Sequence, residues 1–140
     1  MILVFEYSSS NEEYGSTEHC TFDAESVDVA ETALLEVIEY NNNLWRMQHD
    51  IADAFAKKMQ PISNKLQKIG VNDTSKKLSD EWIQLRNELS EKTNALGEPK
   101  LFCGYELQTE PEPYNSENWR ILTLDKFVKE SMCEMVKFKQ

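Results

Sequence analysis

Residues 44–96 have the sequence LWRMQHDIADAFAKKMQPISNKLQKIGVNDTSKKLSDEWIQLRNELSEKTNAL, and we expect the rest of the chain to pack around this stretch. In its first half, apolar residues recur every three or four positions, as on one face of an α-helix of about 26 residues, roughly 39 Å long. Pro61 interrupts the run and predicts a kink or a new helix start, because proline removes a backbone hydrogen bond from a helix interior. The apolar face continues past Pro61, which favours the kink. The residues of this face are Leu44, Met47, Ile51, Phe55, Met59, Ile62, Leu66 and Ile69.

The second half of the stretch predicts a return helix. Gly70 tolerates the positive φ of a helix end, and Asp73 can cap the next helix with its side-chain oxygen. Gly97 and Pro99 then supply the residues that commonly end a helix. We therefore expect an antiparallel helical hairpin over residues 44–96, whose two apolar faces pack against each other. The apolar face of the return helix consists of Leu78, Trp82, Leu85, Leu89 and Leu96.

The N-terminal segment, residues 1–43, predicts a strand, a polar loop, a second strand and a helix. An apolar run over residues 1–7 is typical of a buried strand, and residues 18–22 are a candidate return strand. Residues 27–40 have the spacing of an amphipathic helix with an acidic exposed face. We expect the asparagines at 41–43 to break this helix, because asparagine is a poor helix former.

The C-terminal segment, residues 98–140, repeats this order. Alternating residues over 101–107 predict a strand, residues 119–122 a returning strand, and the apolar spacing after Leu124 a last amphipathic helix. We expect about four short strands to form one small antiparallel sheet with helices packed on one face, which is an α+β fold. The chain length predicts a single domain over residues 1–140, with the hairpin segment at 44–97.

The net charge of −10 is concentrated in the first third of the chain. Residues 1–45 contain ten acidic residues and no lysine or arginine, whereas the rest of the chain holds fifteen of each sign. Acidic residues concentrated in this way create a negative electrostatic field, which attracts a basic protein and repels nucleic acid. A solvated acidic surface explains the same pattern without a partner. Because no basic patch with interleaved aromatic residues is present, we do not expect nucleic acid as a direct partner.

The cysteines and the apolar runs predict where the protein is found. Cys20, Cys103 and Cys133 are odd in number, far apart and without a C-x-x-C pair, which indicates a reducing compartment and argues against a disulfide framework or a zinc ribbon. The apolar run Ile2–Phe5 is too short for a signal peptide, and no run approaches the length that spans a bilayer. We expect a soluble, cytoplasmic protein without a membrane partner.

The sequence contains no group of residues whose spacing a known reaction requires. The glycines are isolated, so no phosphate-binding loop is present. His49 and Asp50 resemble the dipeptide of some metal phosphohydrolases, but only His19 remains to complete such a site. His19, Cys20 and Cys103 form a metal or nucleophile site only if distant strands are neighbours, and cysteines on strands are usually small buried apolar residues. We expect no enzymatic activity, no cofactor and no metal.

These observations favour a binding module whose acidic first third contacts a basic protein. In size and charge the chain resembles, in type, the inhibitors of basic nucleic-acid enzymes, namely phage anti-restriction and anti-CRISPR proteins and bacterial toxin-immunity proteins. This resemblance implies a non-catalytic inhibitor of a nucleic-acid-handling enzyme such as a nuclease. The predicted partner-binding residues are Glu12, Glu13, Glu18, Asp28, Glu31, Glu36 and Glu39.

The hairpin gives an alternative prediction. If part of the apolar surface over residues 44–96 stays open, the chain is a structural or adaptor subunit that assembles through this hairpin, for example as a homodimer.

Overall fold

The structure is a computed structural model that describes residues 1–10, 15–111 and 116–139. In these ranges the chain forms an α+β fold, as predicted, with one antiparallel sheet of strand order β2-β1-β3. Two compact units are present: unit 1 comprises residues 1–41 and 100–140, and unit 2 comprises residues 42–99. The elements are β1 (Ile2–Ser10), β2 (Gly15–Asp23), α1 (Val27–Lys68), α2 (Asp73–Ala95), β3 (Ser116–Thr123) and α3 (Leu124–Lys139).

The sheet of unit 1 has a helix on each face, so the prediction that helices cover only one face was wrong. Because successive strand residues point to opposite faces, Leu3 and Phe5 of β1 share one face, and both are fully buried there against α1. Val4 points to the opposite face, where α3 packs on β1 and β3. The core on the α1 side is completed by Ala30, Leu34, Ile38, Leu107 and Ile121.

Residues 101–107, one of the four predicted strands, do not form a strand. The prediction of four strands was therefore wrong for the described chain. Only an isolated bridge joins Phe102 to Tyr105, and the two residues between them, Cys103 and Gly104, have φ values of 49° and 83°. These positive values fold the segment back on itself as a tight turn, which an extended strand does not allow. The alternation of apolar residues arises because the turn packs against the core.

The predicted helix break at residues 41–43 was also wrong, because α1 runs through all three asparagines. Asn41 is only 2 % exposed and uses its side-chain amide for hydrogen bonds to Lys100 and Leu107. The amide is therefore occupied by tertiary partners and does not compete with the helix backbone, which is the usual reason that asparagine breaks helices. The helix likewise continues through Pro61 without a new start.

Unit 2 contains the second part of α1 and all of α2, joined at residues 69–72. Asn72 caps α2 in a reciprocal pair with Ser75, instead of the predicted cap at Asp73. Phe55 of α1 is 3 % exposed, and the ammonium group of Lys92 lies 5.2 Å from the centre of its ring. No residue of α2 is buried, so its apolar face is only partly covered. Among the described residues no helix is long and apolar enough to cross a bilayer.

Candidate acidic binding surface

Four of the predicted partner-binding residues lie together on α1 within unit 1. At about 100° per residue, the positions 28, 31, 36 and 39 fall within an arc of about 140° on the helix surface. The buried residues Ala30, Leu34 and Ile38 lie on another side of the helix, whose centre is about 130° from the centre of this arc. We call this surface the α1 acidic face. Its residues are Asp28, Glu31, Glu36 and Glu39, and all four are exposed.

The carboxylates of the α1 acidic face have no ion-pair partner within the described part of the chain. The described ion pairs of unit 1 involve other acids, namely Asp23, Glu6 and Glu130. Asp28 lies in the first turn of α1, where a negative charge is favoured by the positive end of the helix. The other carboxylates lie beyond that turn, so their charge is left for solvent or for a partner.

An exposed leucine lies in the middle of the α1 acidic face. Leu35 is 63 % exposed. It is four residues from both Glu31 and Glu39, so it lies between them on the helix surface. Leu35 falls outside the apolar spacing that predicts the buried side of the helix, and it was not among the predicted site residues. An apolar residue surrounded by charged ones is a common arrangement at protein interfaces, where the apolar residue fills a pocket and the charges form the rim.

The remaining predicted site residues are placed differently. Glu18 is exposed on β2, but its carboxylate accepts a hydrogen bond from the hydroxyl group of Tyr105, which raises the pKa of that tyrosine to about 12. Glu18 therefore supports the segment at 102–105 as well as adding negative charge. Glu12 and Glu13 lie outside the described residues.

The charge of the chain divides between the two units. Unit 1 holds 17 acidic and 6 basic residues, whereas unit 2 holds 8 acidic and 9 basic residues. The net charge is therefore −11 in unit 1 and +1 in unit 2. The excess of acid belongs to the unit that carries the α1 acidic face, and unit 2 is nearly neutral.

A partly exposed ion pair lies on the other face of the sheet and was not predicted from the sequence. Glu6 of β1 and Arg120 of β3 are register partners, and the guanidinium group donates hydrogen bonds of 2.7 and 3.3 Å to the Glu6 carboxylate. These hydrogen bonds lower the pKa of Glu6, although its burial opposes the shift. Glu130 of α3 binds the same guanidinium group at 2.6 Å, and the two carboxylates raise the pKa of Arg120.

His19 completes this group and borders a cleft of about 300 Å³. Its Nε2 atom lies 3.0 Å from the Glu6 carboxylate, and its ring packs on Phe127 of α3. Because the carboxylates of Glu6 and Glu130 bind Arg120, and Glu6 also contacts His19, the walls of the cleft have little unpaired charge to offer a ligand. We interpret the group as the polar contact that joins α3 to the sheet.

The metal or nucleophile site considered for His19, Cys20 and Cys103 is not formed. His19 and Cys20 are consecutive on β2 and point to opposite faces of the sheet, His19 towards α3 and Cys20 towards the segment at 102–105. Among the described residues no group of histidine, cysteine and acidic side chains is arranged to hold a metal ion. His49 contacts Asp53 of its own helix at 3.4 Å and stacks on Trp45.

No known protein family matches this chain, and neither a curated protein nor a solved structure shows significant similarity to it.

Proposed function

We propose that the protein is a non-catalytic binding module whose α1 acidic face and Leu35 contact a basic protein. The observation that carries the proposal is the exposed Leu35 among four acidic residues that have no ion-pair partner within the described part of unit 1. Concentrating like charges on one unit weakens its folding through self-repulsion. A basic partner offsets this cost, because its charges neutralise the surface when the complex forms.

The partner that fits this surface best is a nucleic-acid-handling enzyme such as a nuclease. These enzymes bind the phosphate backbone through exposed lysine and arginine side chains. An acidic face with a central apolar residue can occupy such a surface and thereby exclude the nucleic acid. The protein then acts as an inhibitor within the cytoplasm, of the anti-restriction, anti-CRISPR or toxin-immunity type, without touching nucleic acid itself.

Charge and apolar contact contribute at different stages of this binding. Exposed carboxylates raise the rate of association with a basic partner, and salt weakens this effect because the screening length is about 8 Å at physiological ionic strength. Burial of Leu35 on the partner slows dissociation, because exposing a buried leucine again costs roughly 1.5–3 kcal/mol. Neutralising the carboxylates and truncating the leucine therefore have separable effects.

Partner recovery from the native host tests the proposal with a matched control. The test variant neutralises the α1 acidic face, and the control variant removes the same number of negative charges from the exposed side of α2. We expect the control to recover the same basic enzyme as the wild type, and the test variant to lose it. The test variant is Asp28→Asn, Glu31→Gln, Glu36→Gln and Glu39→Gln, and the control is Asp80→Asn, Glu81→Gln, Glu88→Gln and Glu91→Gln.

The proposal fails if both variants recover the wild-type partners equally well at low salt. It also fails if the recovered partner has an acidic or an apolar contact surface. Addition of the purified protein to a recovered nuclease then tests inhibition directly, since the cleavage rate must fall with increasing inhibitor and recover with added salt.

The partly covered apolar face of α2 favours a second candidate function. Leu78, Trp82 and Leu85 are only half-buried within unit 2, so a hairpin of α1 and α2 leaves apolar surface for assembly with another chain. The protein would then be a structural or adaptor subunit, for example a homodimer. Sedimentation at micromolar concentration distinguishes the two functions, because assembly requires a stable dimer or larger species and a strict monomer excludes it.

A further inference from the structure

Residues 102–105 form a hairpin turn of an unusual composition. Phe102 and Tyr105 exchange two backbone hydrogen bonds of 2.9 Å, and both residues between them have positive φ. This is the pattern of a type I′ turn, which favours asparagine and glycine at its two central positions. Cys103 occupies the first of them at a φ of 49°, a region that residues with a Cβ atom seldom adopt. Contacts outside the turn must therefore hold Cys103 in place.

Those contacts place the turn along one face of β2. The ring of Phe102 lies 5.4 Å from the ring of Phe22, and the hydroxyl group of Tyr105 donates a hydrogen bond to Glu18. The two ends of the turn are thus anchored to strand residues on either side of Cys20. Since alternate strand residues share a face, Cys20 points towards the turn between these two anchors.

The side chains of Cys20 and Cys103 lie together at this point. Both are half-buried, and both pack on the same core cluster of unit 1. The two residues are far apart in sequence, so the contact depends on the folded turn. Burial and the neighbouring thiol raise the pKa of Cys103 to about 12, which keeps it protonated at neutral pH.

We propose that Cys20 and Cys103 form a reversible disulfide when a small-molecule disulfide such as oxidised glutathione is in excess. One protein thiolate attacks the small disulfide, forms a mixed disulfide and releases one small thiol. The second protein thiolate attacks the protein sulfur of the mixed disulfide, forms the Cys20–Cys103 bond and releases the second small thiol. The two protons lost by the protein end on the two released thiols. The protein is oxidised by two electrons and the small disulfide is reduced by two.

The bond ties the turn at 102–105 to β2 and closes a covalent loop between two distant parts of unit 1. Such a loop restricts the unfolded chain and raises the melting temperature. Formation is slow at neutral pH, because little of Cys103 is thiolate. In a reducing compartment the thiols remain free, so the bond forms only after an oxidising change. This site does not depend on the α1 acidic face or on its partner.

The test uses the full chain with Cys133→Ser, a variant that leaves both half-buried thiols in place. The variant is incubated at low micromolar concentration in glutathione buffers of increasing oxidation, acid-quenched and measured by intact mass. We expect loss of the mass of two hydrogen atoms, and a proteolytic fragment in which the peptide of Cys20 is linked to that of Cys103. We further expect a rise in melting temperature of at least about 5 °C, reversed by reductant.

Two results would overturn the proposal. The first is that both thiols of the Cys133→Ser variant stay free, or carry only separate glutathione adducts, in fully oxidised buffer while the fold is intact by circular dichroism. The second is that the linkage joins two molecules, seen as a dimer on non-reducing electrophoresis. The single variants Cys20→Ser and Cys103→Ser serve as controls, and each must abolish the loss of two hydrogens.

Discussion

The side-chain amide of Asn41 donates a hydrogen bond of 2.8 Å to the carbonyl oxygen of Leu107, 66 positions along the chain. The same amide donates to the carbonyl oxygen of Lys100 at 2.9 Å, and its oxygen accepts from the backbone N–H of Lys100 at 2.7 Å. One side chain of α1 thus satisfies backbone groups at both ends of the segment at 100–107. This segment carries the turn at 102–105, so Asn41 connects α1 to the sheet through that turn.

Replacing Asn41 with alanine should destabilise the protein strongly. The substitution removes the side-chain partner of three backbone groups, namely the buried carbonyl group of Leu107 and the partly buried carbonyl and N–H groups of Lys100. We expect a loss of about 2–5 kcal/mol in the free energy of unfolding. Urea denaturation followed by circular dichroism measures this loss.

Asn43→Ala is the matched control, because Asn43 is exposed on the same helix and bonds only Arg46 in the described structure. We expect its effect to stay within about 0.5 kcal/mol, with a small gain from the better helix propensity of alanine. Equal effects of the two alanine variants would contradict the account of Asn41.

The Glu6–Arg120 pair should make stability depend on pH. Arg120 lowers the pKa of Glu6 below its ordinary value of 4.5, so the folded chain prefers the ionised carboxylate more than the unfolded chain does. The stabilisation is therefore complete above about pH 4.5 and is lost as the pH falls through the lower folded pKa. Because Arg120 is 46 % exposed, we expect Glu6→Gln to cost only about 1–2 kcal/mol at pH 7.

Urea denaturation of the wild type and of Glu6→Gln, repeated from pH 7 to pH 3, checks this dependence. The difference between the two proteins should be constant down to about pH 5 and shrink below it. A difference that grows on acidification would show that the ion pair is not the source of the stabilisation.

Replacing a large apolar side chain with alanine should destabilise unit 2 more in α1 than in α2. Phe55→Ala removes a side chain that is 3 % exposed, and we expect a loss of about 3–5 kcal/mol. Leu85→Ala on α2 should cost less, because Leu85 is only half-buried in the single chain. Thermal unfolding of both variants measures the difference. If Leu85→Ala costs as much as Phe55→Ala, the face of α2 is covered, as it would be in an assembled oligomer.

Apolar spacing predicted strands and amphipathic helices from the residues of each element alone, and missed the features that only contacts between distant residues explain. The strand at the N-terminus and the amphipathic helices follow from spacing alone. Three consecutive asparagines predicted a helix break. The helix continues through Asn41 because the amide of this residue is hydrogen-bonded to the segment at 100–107, which the sequence pattern does not reveal. Cys103 in a tight turn gave the same alternation as a strand, which is why four strands were predicted.

The sequence predicted the acidic residues of the candidate site, but not the residues whose importance depends on their neighbours in the folded chain. Charge placed the acidic surface in the first third of the chain, and the division of charge between the units is consistent with that placement. Leu35 was missed because an exposed leucine becomes informative only when its neighbours on the helix surface are known. Glu6 was missed because Arg120, its partner, is 114 residues away.

Binding of a basic enzyme by the α1 acidic face should be visible in the association rate constant of the recovered partner, measured at increasing ionic strength. For the wild type and for the α2 charge control we expect the same fast association, falling steeply with added salt. For the α1 variant we expect association about ten times slower or more at low salt, with little dependence on salt. Leu35→Ala should leave the association rate unchanged and speed dissociation. Equal association rates and equal salt dependence for the α1 variant and the wild type would contradict the claim.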